Sequence, residues 1–317
     1  MTGSRDREQS GFRDREQKGV LMREATKRGM SIAVSGTEFT DADGVDGLIE
    51  MARSAQCDAV EFWYPKNGRR DGVDAALHKL DRAGLSIACV STPSHLYGAG
   101  GADGVALLHE AITLAARTGA SRVNTYFGHA PVVDDERAIA AYADALAPVL
   151  DHAAAQKVVV VLENEFDAFG WDPLGSDITR RPTALAALFT RVGSPWFGLN
   201  FDAANFLCAD VSPGRDALPL LLPWVRYAHV KDVRRASLET PREGWVRYTD
   251  HGRAYDTTSL GTGELDWPTM ITGLAAVGYD GYLTLEPHCR PSGLLVETAH
   301  AADHLRDLMK AHAPSRR

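Results

Sequence analysis

The chain has 317 residues, of which 44% are hydrophobic and 24% charged, and its formal net charge is −8. This acidic balance argues against a nucleic-acid-binding protein, which usually presents a basic surface. No apolar run approaches the roughly 18 residues that a membrane helix needs, and the charged N-terminus lacks the apolar core of a signal peptide. The four cysteines are far apart in the sequence, which indicates reduced thiols in a cytoplasmic protein.

The first 28 residues are polar and repetitive. The segment Arg5–Gln9 recurs almost at once as Arg13–Gln17. A segment with so little apolar surface cannot offset the entropy lost on ordering. We therefore predict a disordered tail over residues 1–28 and one catalytic domain over residues 29–317.

From Met30 onward, short apolar runs alternate with longer Ala- and Leu-rich stretches of helical period. The runs predict eight strands: Ser31–Ser35, Ala59–Trp63, Ser86–Ser91, Arg122–Phe127, Val158–Glu163, Phe197–Asp202, Val225–Val230 and Tyr282–Glu286. The stretches between and after them predict eight helices: Asp43–Ala55, Asp71–Ala83, Asp103–Thr118, Asp134–Gln156, Pro182–Val192, Pro213–Leu222, Asp266–Val277 and Ser292–Ala311.

Eight strand–helix units predict an α/β fold with a parallel sheet that is buried on both faces. An open doubly wound sheet is the alternative, and it usually carries a Gly-rich phosphate loop after its first strand. The first strand here is followed by Gly36–Thr40, which does not match GxGxxG. The pattern therefore favours a single (β/α)8 TIM barrel.

Two connections are unusually long, one over residues 164–181 after the fifth strand and one over residues 232–265 after the seventh. Long connections in a compact domain are usually functional or disordered, and the aromatic content of these two argues against disorder. Because both follow strands, we predict two long loops that overhang the catalytic face.

The C-terminal ends of barrel strands converge on one site, so the residues at those ends are the candidates for chemistry. Single polar residues end the apolar runs of the last four strands: Glu163, Asp202, His229 and Glu286. Burying three carboxylates together without a cation costs several kcal/mol each. Mostly oxygen ligands with one nitrogen suit Mn²⁺, with Mg²⁺, Co²⁺ and Zn²⁺ as alternatives.

Several of these strand ends carry short motifs. Leu162-Glu163-Asn164, the Asn200–Phe206 segment, His229–Asp232 and Leu285-Glu286-Pro287 occur in this order, together with Gly261–Trp267 before the seventh helix. With these motifs the chain resembles the sugar phosphate isomerase/epimerase superfamily, also called the xylose-isomerase-like or AP-endonuclease-2-like TIM barrels. The resemblance extends from about Met30 to Ala311, and the superfamily includes isomerases, epimerases, dehydratases, lyases and a DNA repair nuclease.

The resemblance implies that Glu163, Asp202, His229 and Glu286 are metal ligands. It also implies that Glu163 and Glu286 act as acid and base on opposite faces of the substrate. Asn205 departs from the pattern, because ketose 3-epimerases and endonuclease IV often have histidine at that position. This difference argues against a strict tagatose-epimerase assignment and against a trinuclear zinc site.

Further candidates lie around the predicted cluster. His129 follows the fourth strand and is a candidate general acid or base, since an unperturbed imidazole titrates near neutral pH. Substrate-binding candidates are Glu61, His95, Asn205, Lys231 and Trp171. Lys231 follows His229 by two residues, so both side chains point to the same face of a strand.

The resemblance and the predicted ligands favour a divalent-metal-dependent isomerase or epimerase of a ketose or keto-sugar, which works through an enediolate. The alternative is a lyase, such as a deglycosidase of 3-keto glycosides acting by β-elimination or an inosose dehydratase. An AP endonuclease and a non-catalytic barrel subunit are less favoured. The expected partner is a sugar or glycoside, with no nucleic acid and no membrane; a homo-oligomer or a small partner subunit stays open.

Overall fold

The computed structural model describes residues 29–39, 44–69, 72–98, 100–128, 134–166, 177–240 and 242–312. The predicted barrel is confirmed, because eight parallel strands close in the order β1-β11-β7-β6-β5-β4-β3-β2. The predicted tail over residues 1–28 lies outside the described residues, so its disorder stays a prediction. The barrel strands are β1 Ser31–Ser35, β2 Ala59–Trp63, β3 Ser86–Tyr97, β4 Arg122–Gly128, β5 Val159–Glu163, β6 Phe197–Asp202, β7 Val225–Val230 and β11 Tyr282–Leu285.

The barrel strands are apolar because both of their faces are buried. One face packs against the helices in the main hydrophobic core. The other face fills the barrel interior with a smaller cluster that includes Val161 and Tyr227. Val161 precedes Glu163 by two residues and Tyr227 precedes His229 by two, so each pair points inward on the same face of its strand. The barrel interior is therefore apolar in its middle part and polar at the C-terminal ends of the strands.

The helices surround the barrel: α1 Gly44–Ser54, α2 Val73–Arg82, α3 Gly101–Thr118, α4 Asp135–Gln156, α5 Pro182–Val192, α6 Ala203–Cys208, α7 Leu218–Leu221, α8 Trp267–Ala276 and α9 Pro291–His312. Their ends follow capping chemistry: the Asp134 carboxylate accepts from the Glu136 and Arg137 amides at the start of α4. The predicted helix Pro213–Leu222 is irregular, a π turn Pro213–Ala217 followed by α7. Prolines at positions 219 and 223 explain this, since each removes an amide donor.

The connection after β7 is long, as predicted, and it contains regular structure that the sequence did not indicate. It contains a three-stranded antiparallel sheet of β8 Asp232–Ala236, β9 Arg247–Asp250 and β10 Arg253–Thr258, in the order β8-β10-β9. The β9–β10 turn consists of His251 and Gly252, at φ 44° and 77°. Two consecutive positive φ values are what a tight hairpin requires, and Gly252 supplies the freer of the two. We call residues 232–258 the insertion.

The connection after β5 is described only in part. Residues 167–176 lie outside the described residues, and the chain resumes with a 3-10 turn at Ile178–Arg180. Phe166 at its start is buried and packs against Tyr248 of the insertion, with ring centroids 5.1 Å apart. The two long connections therefore meet at the C-terminal end of the barrel.

Asp232 joins the end of β7 to the Gly261–Trp267 motif. Its Oδ2 accepts hydrogen bonds from the amides of Gly261 and Gly263, at 2.9 Å and 3.1 Å. A Cβ at Gly263 would collide with this carboxylate, so the close approach requires glycine. The end of β7 and the Gly261–Trp267 motif thus form one structural unit. The Asp232 carboxylate binds the amides of that motif and takes no part in the polar site at the end of the barrel.

None of the four cysteines, which all lie in the described part of the chain, forms a disulfide, and three of them are buried. Within the described part of the chain, no helix is both long enough and apolar enough to cross a membrane.

Candidate metal centre

Four side chains converge at the C-terminal end of the barrel, and we call them the ligand cluster: Glu163, Asp202, His229 and Glu286. One potential ligand atom from each lies within 4.8 Å of all the others. Each of these residues is at most 4% exposed. The cluster predicted from the strand ends is therefore brought together at one point, within the span of one coordination sphere.

Strand register explains this convergence. Asp202 ends β6 and pairs with His229 on β7, while Glu163 ends β5 and pairs with Asn200 on β6. Glu286 follows β11, whose Leu285 pairs with Val230 of β7. Asp202 and His229 are therefore level, and Glu163 and Glu286 lie within two residues of that level. Since neighbouring strands are only about 4.8 Å apart, these inward side chains can reach one point.

His229 bridges several carboxylates. Its Nδ1 lies 3.0 Å from Glu163 Oε1 and 3.6 Å from Glu286 Oε2, and its Nε2 lies 2.9 Å from Glu61 Oε2. Burial lowers the pKa of the imidazole, but the surrounding carboxylates, Glu163 first, outweigh burial and hold that pKa well above its ordinary value. The carboxylates around His229 therefore favour its protonated, cationic form.

Lys231 is the second cation of the site. Its Nζ lies 2.7 Å from Asp202 Oδ2 and 2.9 Å from Glu286 Oε2, and the side chain is 5% exposed. Burial raises the pKa of Glu286, but Lys231 and then His229 outweigh burial, so this pKa lies well below its ordinary value. Glu286 is therefore a carboxylate ion across the ordinary pH range.

Asparagine side chains hydrogen-bond to Glu163 and to the backbone of Asp202 and so help to orient both ligands. Asn124 Nδ2 donates to Glu163 Oε2 at 2.9 Å, and Asn200 Nδ2 lies 3.3 Å from the same oxygen. Asn164 donates to the Asp202 carbonyl and accepts from the Asp202 amide, both at 2.8 Å. These bonds hold β5 and β6 at a set spacing and limit the rotation of the ligands.

The residues present suit a divalent cation. Three carboxylates and one imidazole form the oxygen-rich donor set that such ions prefer. A fourth carboxylate, Glu61, lies directly behind His229. Four buried carboxylates face only Lys231 and one imidazole, so negative charge remains in excess even when the imidazole is protonated. A divalent ion in place of the imidazole proton would reduce that excess. The ligand cluster could therefore hold a divalent metal ion.

The substrate-binding candidates have different surroundings. Glu61 is fully buried and bonded to His229, Ser35 and Trp63. Asn205 donates to the Asn164 carbonyl at 2.9 Å, and Lys231 contacts two members of the ligand cluster. His95 is half-buried in β3 and packs against Tyr126, with ring centroids 5.5 Å apart. The candidates His129 and Trp171 lie outside the described residues.

Other polar residues at the site were not predicted from the sequence. His288 Nε2 lies 3.0 Å from Glu286 Oε2, and its Nδ1 lies 2.7 Å from Glu38 Oε1. Tyr248 of the insertion packs edge-on against His288 at 6.1 Å. Glu165 follows Glu163 by two residues, and burial, then the charge of Glu163, raise its pKa well above the ordinary value. The spacing of two from Glu163 and from Glu286 is the signal that could have identified Glu165 and His288.

Comparisons with known proteins agree with this architecture. The structure of an L-ribulose 3-epimerase is 18% identical and covers 89% of this chain and 95% of its own, with a TM-score of 0.69. A xylose isomerase-like TIM barrel protein from Mycobacterium smegmatis, in complex with magnesium, is 18% identical over 90% of this chain and 98% of its own, with a TM-score of 0.65.

The probable 3-DHS dehydratase AsbF from Bacillus anthracis is 15% identical over 87% of this chain and 99% of its own, again with a TM-score of 0.65. At these identities the likeness concerns the fold. A search of the curated proteins found no match. Residues 49–312 match the protein family described as "Xylose isomerase-like TIM barrel". The chain therefore belongs to the xylose isomerase-like TIM-barrel family.

Proposed function

We propose that this protein is a divalent-metal-dependent isomerase or epimerase of a ketose or keto-sugar, with Mn²⁺ as the first candidate ion and Mg²⁺, Co²⁺ and Zn²⁺ as alternatives. The observation that carries the proposal is the ligand cluster, whose four potential ligand atoms lie within 4.8 Å of one another. The protein family and the fold shared with an epimerase support the same class of reaction.

A divalent ion bound by the ligand cluster would act as a Lewis acid toward a substrate carbonyl and make the neighbouring C–H more acidic. Glu163 and Glu286 are the two bases available to remove that proton. Glu286 suits this role because Lys231 and His229 keep it ionised. A positioned base of this kind typically accelerates a reaction by about 10²–10⁴-fold.

The two glutamates lie on strands that are not neighbours, since β6 and β7 separate β5 from β11. A planar substrate held between them would present one face to each carboxylate. If one glutamate removed the proton and the other, protonated beforehand, delivered its own proton to the opposite face, the carbon would be inverted. Return of the removed proton to the adjacent carbon would isomerise the substrate. Lys231 lies close enough to Glu286 to stabilise negative charge that develops on a substrate oxygen.

A lyase is the second candidate, and His288 favours it. This imidazole is 20% exposed and lies 3.0 Å from Glu286. The Glu286 and Glu38 carboxylates outweigh burial and raise the pKa of His288 to about 9. A protonated imidazole beside the base could donate a proton to a departing oxygen, which β-elimination requires and epimerisation does not. A 3-keto glycoside or an inosose would be the substrate.

To test the proposal, the Mn²⁺-loaded protein is incubated in D₂O with free ketoses, inososes and 3-keto glucosides. The products are then analysed by NMR. Deuterium appearing next to the carbonyl together with a new epimer or isomer supports the first candidate. Release of an aglycone or water without epimerisation excludes it in favour of the lyase. Absence of bound metal, with no deuterium exchange in any substrate, would contradict both and leave a non-catalytic barrel.

An AP endonuclease is disfavoured by two features of the chain. The net charge is −8, and Asn205 stands where a trinuclear site would need histidine. Elemental analysis should find one metal ion per chain, and abasic-site DNA should remain uncut. The protein would act on a small sugar or glycoside in the cytoplasm, and analytical ultracentrifugation would establish whether it forms a homo-oligomer.

A further inference from the structure

Glu61 reaches the site from the opposite side of the barrel. It lies in the middle of β2, which is separated from β7 by β1 and β11, yet its Oε2 lies 2.9 Å from His229 Nε2. Its other oxygen accepts from Ser35 Oγ at 2.7 Å and from Trp63 Nε1 at 3.0 Å. Glu61 is fully buried, so both of its oxygens are engaged by protein donors.

The chemistry of this contact determines which ring nitrogen would keep its proton when a metal ion replaces the other one. A carboxylate only accepts hydrogen bonds, so His229 Nε2 must be the donor in this pair. A neutral imidazole protonated at Nε2 has its lone pair on Nδ1. That atom lies 3.0 Å from Glu163 Oε1, on the side of the ring that faces the ligand cluster. Because Glu163 is also a carboxylate, both ring nitrogens have an acceptor in the structure. A metal ion held by the ligand cluster would take the place of the Nδ1 proton, and the bond to Glu61 would keep the other proton on Nε2.

The contacts of Glu61 also restrict the ring itself. The Ser35 and Trp63 donors hold one carboxylate oxygen, so the second oxygen has little freedom to follow a rotating imidazole. His229 is likewise buried, at 1% exposure. Ring rotation away from the ligand cluster would leave two buried polar groups without partners, which is costly. Substrate would have to displace these protein donors to bind Glu61 directly.

We propose that Glu61 is a positioning residue, which accepts the Nε2 proton of His229 and thereby directs Nδ1 toward the metal. This replaces the substrate-binding role that the sequence indicated for Glu61. The inference rests on the metal site within the proposed function, but it does not depend on the identity of the sugar or on the choice between epimerase and lyase.

The test measures Mn²⁺ affinity by isothermal titration calorimetry in the full-length protein and in Glu61→Gln. Glutamine has nearly the same shape but offers an uncharged partner, so affinity should fall about 10–100-fold, as for other groups that orient metal-binding histidines. Asp256→Asn is the matched control, because Asp256 is also a buried carboxylate but pairs with Arg247 in the insertion. Its affinity should equal that of the unmodified protein.

A spectroscopic measurement tests the tautomer without any substitution at Glu61. In the Zn²⁺-loaded, ¹⁵N-histidine-labelled protein, the His229 signals should show a proton on Nε2 and coordination through Nδ1. The spectrum of His229→Asn identifies those signals among the 11 histidines. A proton on Nδ1 with coordination through Nε2 would overturn the inference, even if Glu61→Gln failed to fold.

The remaining outcomes separate this inference from the proposed function. If Glu163→Gln loses Mn²⁺ affinity while a folded Glu61→Gln retains it in full, the positioning role is wrong and the metal site stands. If neither the unmodified protein nor any variant binds a divalent ion, the proposed function fails together with this inference.

Discussion

Two groups of buried charges lie near the C-terminal end of the barrel, and they are built differently. In the ligand cluster, three carboxylates and Glu61 behind them face Lys231 and one imidazole. In the insertion, Asp250 lies between two guanidinium groups, with Oδ2 at 2.7 Å from both Arg180 and Arg253. We call the latter three residues the hairpin cluster.

The two clusters differ in which side chains supply the positive charge that compensates their carboxylates. Two permanently charged arginines face Asp250 in the hairpin cluster, and Arg253 also contacts Asp210 Oδ2 at 2.7 Å, so with Asp210 the charges are balanced and no further ligand is needed. The cluster joins the 3-10 turn before α5 to the β9–β10 hairpin. In the ligand cluster, the imidazole must be protonated before the charges approach balance. Buried carboxylates with too few permanent cations indicate a binding site, whereas a balanced group indicates a structural contact.

The largest expected effect is on catalysis, from Glu286→Gln. The substitution keeps the shape of the side chain but removes the base, so turnover should fall on the order of 10³-fold while the protein stays folded. Deuterium exchange next to the substrate carbonyl measures the loss, and circular dichroism verifies the fold. Asp250→Asn, in the hairpin cluster, is the comparison variant and should keep most of the activity. Full activity of Glu286→Gln would contradict the role given to the ligand cluster.

The next effect is on stability, from Asp250→Ala. Its removal leaves two guanidinium groups facing each other, with Arg180 and Arg253 side chains 11% and 26% exposed. Because these groups retain some contact with water, we expect a loss of about 2–3 kcal/mol in the free energy of unfolding, at or below the lower end for buried pairs. Urea unfolding in EDTA measures it. A matching loss of Mn²⁺ affinity would show that the two clusters are not independent.

Removal of the metal ion, rather than of a ligand side chain, is the next test of the ligand cluster. An ion that binds only the folded protein stabilises it by about 2.7 kcal/mol at a concentration of 100 times its Kd. Thermal unfolding with Mn²⁺ and with EDTA should therefore differ by several degrees. Glu163→Gln should lose most of this difference, whereas Asp250→Ala should keep it. An equal shift in both variants would point to metal binding elsewhere in the chain.

The smallest expected effect is on the pH dependence of stability, and it comes from two neighbouring histidines near the surface. His109 on α3 and His152 on α4 have ring centroids 5.1 Å apart, and burial, then His152, lower the pKa of His109. The folded state thus binds a proton less readily than the unfolded state. The contribution of His109 to stability is present above pH 6.5 and is lost as the pH falls through its folded pKa.

His109→Gln should therefore make the unfolding free energy less dependent on pH between about pH 7.5 and pH 5. The change should stay below about 1 kcal/mol, because solvent screens these groups. Urea unfolding at the two pH values measures it. A steeper pH dependence in the variant would reverse the sign of the assigned effect.

The barrel and the ligand cluster could be predicted from the sequence because both follow from short-range patterns. Buried parallel strands read as continuous apolar runs, and Glu163, Asp202, His229 and Glu286 each end or directly follow such a run. The insertion could not be recognised in the same way. Its strands are short and rich in arginine, so they lack the apolar alternation of a half-buried strand, although Asp250-His251-Gly252 is a turn signal.

The sequence by itself determined the fold, the four strand ends that converge and the excess of acid at that point, since residue order sets the strand period and strand period sets which side chains face inward. Only the tertiary structure decided which groups touch. It placed Glu61 behind His229, Lys231 between Asp202 and Glu286, and His288 beside Glu286. The contacts of Glu61 and Lys231 join strands far apart in the chain, and their distances depend on how the barrel closes.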